Sequence, residues 1–150
     1  MRYDHPLLAT LDYAFDKSSW HGPNLCNAIY RVKAQEAAWT PPGRKSVWQQ
    51  VLHAAFWKQR VLNRVGNTPR VRFPRKGSNW PMVPETIGEE AWQADCDLLR
   101  DIHKRLRAAV AASDEKKLTP STVRMIHGAA LHDIYHAGQI NLIKRMRQSS

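Results

Sequence analysis

Cysteine is scarce in this chain: Cys26 and Cys96 are the only two. Their separation fits no cysteine-based metal motif, and such a pair in a cytosolic chain is expected to remain two reduced, buried thiols. Long apolar runs are missing as well. None approaches the roughly 18 residues that a membrane-spanning helix needs. The opening stretch MRYDHPLLATLDYAF carries Asp4 and Asp12 and has no signal-peptide pattern, so a cytoplasmic location is expected. Strand-like alternation of useful length is absent, as are internal repeats and low-complexity tracts. Acidic residues are missing from the whole interval between Glu36 and Glu85. That interval holds nine basic residues: Arg44, Lys45, Lys58, Arg60, Arg64, Arg70, Arg72, Arg75 and Lys76. With a net charge of +10, such a patch suits an anionic small molecule, an acidic partner or nucleic acid, or is simply a solvated face.

What remains reads as helices separated by loops. A chain of 150 residues can bury a real core, and one domain over residues 1–150 is expected. A first helical region covers about 5–35, broken near SSWHGPN and restarting at Pro23, which suits a first helical turn. Ser46 and Gln49 form a capping-box pattern that opens a second helix, ending at Gly66. The stretch NTPRVRFPRKGSNWPMVPE has four prolines and no periodicity, hence a long loop. Thr86 and Glu89 repeat the capping-box pattern before a third helix to about Ala112. Thr119-Pro120 caps the last helix, whose basic end KRMR complements the helix dipole. The expected fold is an all-α four-helix bundle. The long loop can cross the roughly 30 Å of a helix and lets helices two and three run parallel, giving up-down-down-up.

The last helix carries HDIYHAGQI, residues 132–140. Met125, Ala129, Ile140 and Ile143 recur at helical spacing, and His132, His136 and Gln139 fall in the same stripe. Histidine is costly to bury without partners. Two imidazoles at i and i+4 converge on one point, as in helical metal sites. His53, beside the stripe Trp48, Leu52 and Phe56 of the second helix, offers a third nitrogen. Three neutral imidazoles suit Zn, Ni, Cu or Fe(II) and leave coordination positions open for water or substrate. The competing reading is a set of hydrogen-bonded core histidines.

Those residues carry a resemblance. SWHGPNL, PPGRKSVWQQVLHAAFWK, the NWP…PE loop with Trp92 after it, LLRDIHKRL and HDIYHAGQI span nearly the whole chain and resemble the DinB/YfiT-like proteins. The family pattern His…His-x-x-x-His-x-Gly-Gln-Ile is complete at His53, His132, His136, Gly138, Gln139 and Ile140. Many members have arginine where this chain has Ala137, expected to face away from the site. The resemblance implies an up-down-down-up bundle and a homodimer. It also implies one divalent metal on His53, His132 and His136, with Zn or Ni favoured over Fe or Mn. The few members with an assigned activity are largely thiol-dependent transferases or isomerases. Most members have no assigned substrate.

Two function classes follow. One is an enzyme, a metal-dependent hydrolase or thiol transferase acting on a small molecule, anionic or a low-molecular-weight thiol. The other is a non-catalytic metal-binding or stress-related protein whose basic surface takes anions or nucleic acid. No recognisable DNA- or RNA-reading motif is present, so nucleic acid is not the expected partner. Gln139, Gln49 and Gln50 are candidates to orient the imidazoles, and Asp133 projects away as a poor ligand. His103 reads as a core or supporting histidine, His127 as partly exposed, and His21 as able to reach the pocket or to cap. Tyr135 reads as packing first and proton donor second. The tryptophans read as core, with Trp57 able to wall the pocket. Arg70, Arg72, Arg75 and Lys76 are expected near the pocket mouth.

Overall fold

The computed structural model describes residues 5–66 and 69–149. Six α-helices follow one another: α1 (Pro6–Phe15), α2 (Leu25–Ile29), α3 (Ala34–Ala38), α4 (Val47–Val65), α5 (Glu89–Ala111) and α6 (Pro120–Gln148). There is no strand among the described residues, and none of these helices is long and apolar enough to cross a membrane. Asn67 and Thr68, the first residues of the long loop, lie outside the described residues.

The first helical region is not one helix with a single break. It divides into three short ones, and Pro23 precedes the helix it was expected to open. Asn24 is the cap instead: its side chain accepts from the Asn27 N–H at 2.9 Å. Tyr30 and Trp39 are extended at the ends of α2 and α3, and Arg31 turns into the left-handed region at φ 60°. The Val32 carbonyl then accepts from the Trp92 indole at 2.8 Å, serving a tertiary contact where a helix would have used it internally.

Two of the three expected caps form. Ser46 Oγ accepts from the Gln49 N–H, and the Ser46 N–H donates to Gln49 Oε1 at 2.9 Å, a complete capping box for α4. Thr119 Oγ1 accepts from the Thr122 N–H to start α6. The Thr86–Glu89 box does not form, and α5 starts at Glu89 behind Gly88. Glu89 is drawn elsewhere: its carboxylate accepts from the Ala34 N–H at the start of α3, at 3.0 Å. That carboxylate satisfies an orphan donor of another helix, so α3 is tied to α5.

The core lies between α4, α5 and α6, with α1 closing one side. Trp48 and Trp92 are fully buried and meet edge to face, ring centroids 5.3 Å apart. Truncating either to alanine would cost about 3–5 kcal/mol. The contacts from α4 to α5 advance in the same direction along both helices: Trp48 to Asp95, Lys58 to His103, Gln59 to Arg105. Those from α4 to α6 run in opposite directions, Gln50 to His136 and His53 to His132. Arg107 donates from Nε and Nη2 to the two carboxylate oxygens of Asp12, which ties α1 to α5.

The long crossover between α4 and α5 is pinned along its length. Asn63 bonds the Val71 backbone in both directions, and Phe73 is buried. Arg75 donates twice to Asp95, whose second oxygen holds the Trp48 indole. This pinning places Asn79 and Trp80 directly against α4, beside His53.

Candidate metal centre

Helix α6 buries Ala129, His136, Ile140 and Ile143 of the sequence stripe, but its buried face is centred further round the helix. Ile126, Ala129, Ala130, Asp133, Ala137, Ile140 and Ile143 are buried, while Met125 and Gln139 are only half-buried. His132 and His136 therefore stand at the border of that face: His136 is 2% exposed and His132 is partly exposed. From the antiparallel α4, His53 arrives at the same border, 7% exposed.

The three Nε2 atoms converge. His132 Nε2 lies 3.0 Å from His53 Nε2 and 2.9 Å from His136 Nε2, and all three fall within 4.8 Å of one another. Two imidazole nitrogens bound to one zinc at about 2.0–2.1 Å stand about 3 Å apart, so this spacing fits a shared ion. The opposite ring atoms are occupied. His53 Nδ1 is 2.5 Å from the Asn79 carbonyl oxygen, and His136 Nδ1 meets Gln50 Oε1. Both partners accept, so the proton belongs on Nδ1 and the Nε2 lone pairs face the centre. Gln50 is thus the orienting glutamine. Gln49 is spent in the capping box, and no bond from Gln139 to a histidine is present.

Burial holds all three rings neutral, the form that binds metal. It pushes His136 down to about 3, helped by His132 and His53. It pushes His132 down to about 4, helped by His53 and Lys58. His53 is lowered by burial too, against the Asn79 carbonyl, which favours its protonated form.

The crossover supplies what the sequence did not disclose. Trp80 stacks flat on His53, centroids 3.9 Å apart and planes 13° from parallel. Asn79, at φ 61°, turns its carbonyl to His53 while its side chain accepts from the Trp57 indole at 2.9 Å. Asparagine tolerates this left-handed geometry better than most residues. Lys45 extends its ammonium over Trp80, 5.5 Å from the ring centre.

Beneath the histidines lies a buried charge pair. Lys58 Nζ is 2.5 Å from Asp133 Oδ2 and 3.1 Å from His103 Nδ1. Lys58 is 1% exposed, so it does not belong to the basic surface on which the charge pattern placed it. His103 stacks on Phe15 at 3.7 Å and is held neutral, pushed down to about 2 by burial and the Lys58 charge. It is a core histidine, away from the triad. Cys26 and Cys96 are free, with burial pushing them up to about 11 and about 12, so both thiols are protonated.

Other expectations need correction. Arg75 is committed to Asp95, and it lines a cleft on α4 with Arg72 rather than the triad. Tyr135 is 61% exposed, with its ring edge-on to His136 at 5.1 Å, so it is not packed in the core. Trp20 is wholly exposed because it sits in the turn after α1, with no helix above it. His21 is exposed in that same turn and does not join the histidine cluster. Ala137 is 1% exposed, packed into the core where its helix turns from the triad.

Among curated proteins and among solved structures, nothing matches the chain. The family model of the DinB superfamily matches residues 23–140, a span that holds α2 to α5, the three converging histidines and the crossover above them, and the chain belongs to that superfamily.

Proposed function

We propose that His53, His132 and His136 hold one divalent transition metal and that the centre acts on a small molecule, by metal-assisted hydrolysis or by thiol transfer. The observation that supports this most is the convergence of three Nε2 atoms, those of His53 and His136 each within 3.0 Å of His132 Nε2, with the outer nitrogens of His53 and His136 engaged by acceptors. An all-imidazole donor set favours Zn or Ni, with Fe or Mn less suited. Such an ion supplies Lewis acidity and lowers the pKa of a bound water or thiol.

The chain's own residues set the conditions around it. Gln50 and the Asn79 carbonyl fix two ring orientations, and outer partners of this kind are worth about 10–100-fold in metal affinity. Trp80 covers His53 from the crossover side, so a substrate approaches past the partly exposed His132. Among the described residues, no carboxylate joins the three histidines, and Asp133 is committed to Lys58. Reactions that need no separate protein base suit this arrangement.

That same shortage of a base favours a second reading, a protein that binds metal without turnover. The experiment is turnover by the metal-loaded chain on a panel of low-molecular-weight thiols with electrophiles, and on small hydrolysable esters. Turnover that needs the metal and disappears in His132→Ala supports the enzyme. Stoichiometric metal with no turnover across the panel assigns the second reading, and a chain that takes up no metal overturns both.

A further inference from the structure

Away from the histidines, a cleft of about 410 Å³ opens between the C-terminal half of α4 and the start of α6. Trp57, Arg60, Arg64, Arg70, Ser121 and Met125 line it, and no acidic residue does. None of the three arginines has an ion-pair partner among the described residues. Arg75, Arg100, Arg105 and Arg107, by contrast, each meet an aspartate. Three uncompensated guanidinium groups around one concavity raise the local anion concentration. Ser121, in the first turn of α6, adds the positive end of that helix's dipole. Arg60 is braced for this role, its guanidinium 5.5 Å from the Trp57 ring centre and 5.9 Å from that of Phe56.

The cleft adjoins the histidine cluster along α4 and α6. Trp57 lines the cleft and also meets His53 edge-on, ring centroids 6.5 Å apart. Arg60 follows His53 by seven residues and Met125 precedes His132 by seven on the antiparallel helix, which is about 10 Å along either axis. Between them, Gly128 is exposed, and a Cβ built there would meet no heavy atom within 4 Å. No side chain therefore stands over α6 at this position.

We propose that the arginine cleft binds the anionic end, a carboxylate or phosphate, of an elongated small molecule whose other end reaches the histidine centre. The reach of the second end rests on the metal reading above; the anion site does not. The arginines select for length and charge together, because a short anion cannot span the roughly 10 Å that separates Arg60 from His53 along α4.

The test uses hydroxamates as metal-seeking probes on the full, zinc-loaded chain at physiological ionic strength. Suberic acid monohydroxamate is compared with its methyl ester and with succinic acid monohydroxamate by calorimetry. The long acid is expected to bind about tenfold or more tighter than its ester, as charge-assisted contacts are worth. That advantage should vanish in Arg60→Gln/Arg64→Gln/Arg70→Gln, with the ester's affinity unchanged. Equal affinity of acid and ester, survival of the advantage in the triple variant, or the same gain for the short acid would overturn the proposal. A second readout needs no metal: inorganic phosphate titrated into the metal-free chain should shift the Trp57 indole N–H saturably, and not in the triple variant. Failure of that titration overturns the anion site. Saturable phosphate shifts with no hydroxamate binding at all would uphold the cleft and overturn its link to the histidine centre.

Discussion

Replacing Lys58 by methionine is expected to destabilise the fold by about 3–5 kcal/mol. The side chains of Lys58 and Asp133 are 2% and 0% exposed, and their contact is 2.5 Å. At that burial the small worth of surface ion pairs does not apply, since neither charge has water to return to. Methionine keeps most of the lysine stem's volume. The loss is therefore the partner of a carboxylate whose other oxygen, Oδ1, already lacks a hydrogen bond. Removing both charges tests the reasoning: Lys58→Met/Asp133→Leu should recover most of the lost stability, because a buried pair replaced by apolar residues is often neutral. Urea unfolding followed by tryptophan fluorescence reads the effect. With a denaturant slope of about 1–3 kcal/mol/M, the single variant's midpoint should fall by about 1 M or more, and the double-mutant cycle isolates the coupling. A single variant within about 1 kcal/mol of the parent, or a double variant as unstable as the single, would refute the argument.

Gln50→Ala should leave the fold intact and weaken metal binding by about 10–100-fold, because the His136 ring loses the acceptor that fixes its tautomer; competition against a fluorescent chelator measures it. His103 gives a pH signature. Burial and Lys58 push its folded pKa down to about 2, below the ordinary 6.5, so below pH 6.5 the unfolded chain takes up a proton that the folded chain refuses. Stability is then lost as pH falls, by about 1.4 kcal/mol per unit from this group. His103→Leu should be less stable near neutrality yet show a slope between pH 6 and 4 that is shallower by about that amount in urea titrations. We propose that the chain pairs as a homodimer through an exposed stripe on α6, Leu131, Tyr135 and Leu142. Light scattering at micromolar concentration should give twice 17.2 kDa, reduced to that mass by Leu131→Glu/Tyr135→Glu.

Much of the histidine centre was legible because helical spacing is a local rule. His132 and His136 share a face whatever surrounds them, and the Ser46 and Thr119 caps depend only on residues within one turn. Contacts across the bundle were not legible. Asp133 reads only as a poor ligand that projects away from the site until Lys58, 75 residues away, arrives to answer it. The same pairing removes Lys58 from the basic surface, and Asp95 removes Arg75. Local signals failed where a distant group took the bonding partner: Glu89 leaves the Thr86 box for the Ala34 N–H, and the Val32 carbonyl leaves a helix for Trp92. Trp80 and Asn79 were hidden for a further reason. A loop without periodicity gives no register, so nothing in the sequence says which of its residues meets His53.

Metal content decides whether the three histidines hold an ion. Elemental analysis of the purified chain, reloaded with zinc and desalted, should find one equivalent in the parent. His53→Ala, His132→Ala and His136→Ala should each lose most of it, as each removes one of three converging nitrogens. X-ray absorption on the loaded parent should place imidazole nitrogens at about 2.0–2.1 Å from zinc. Unchanged metal content in all three variants would rule out a metal held by these histidines.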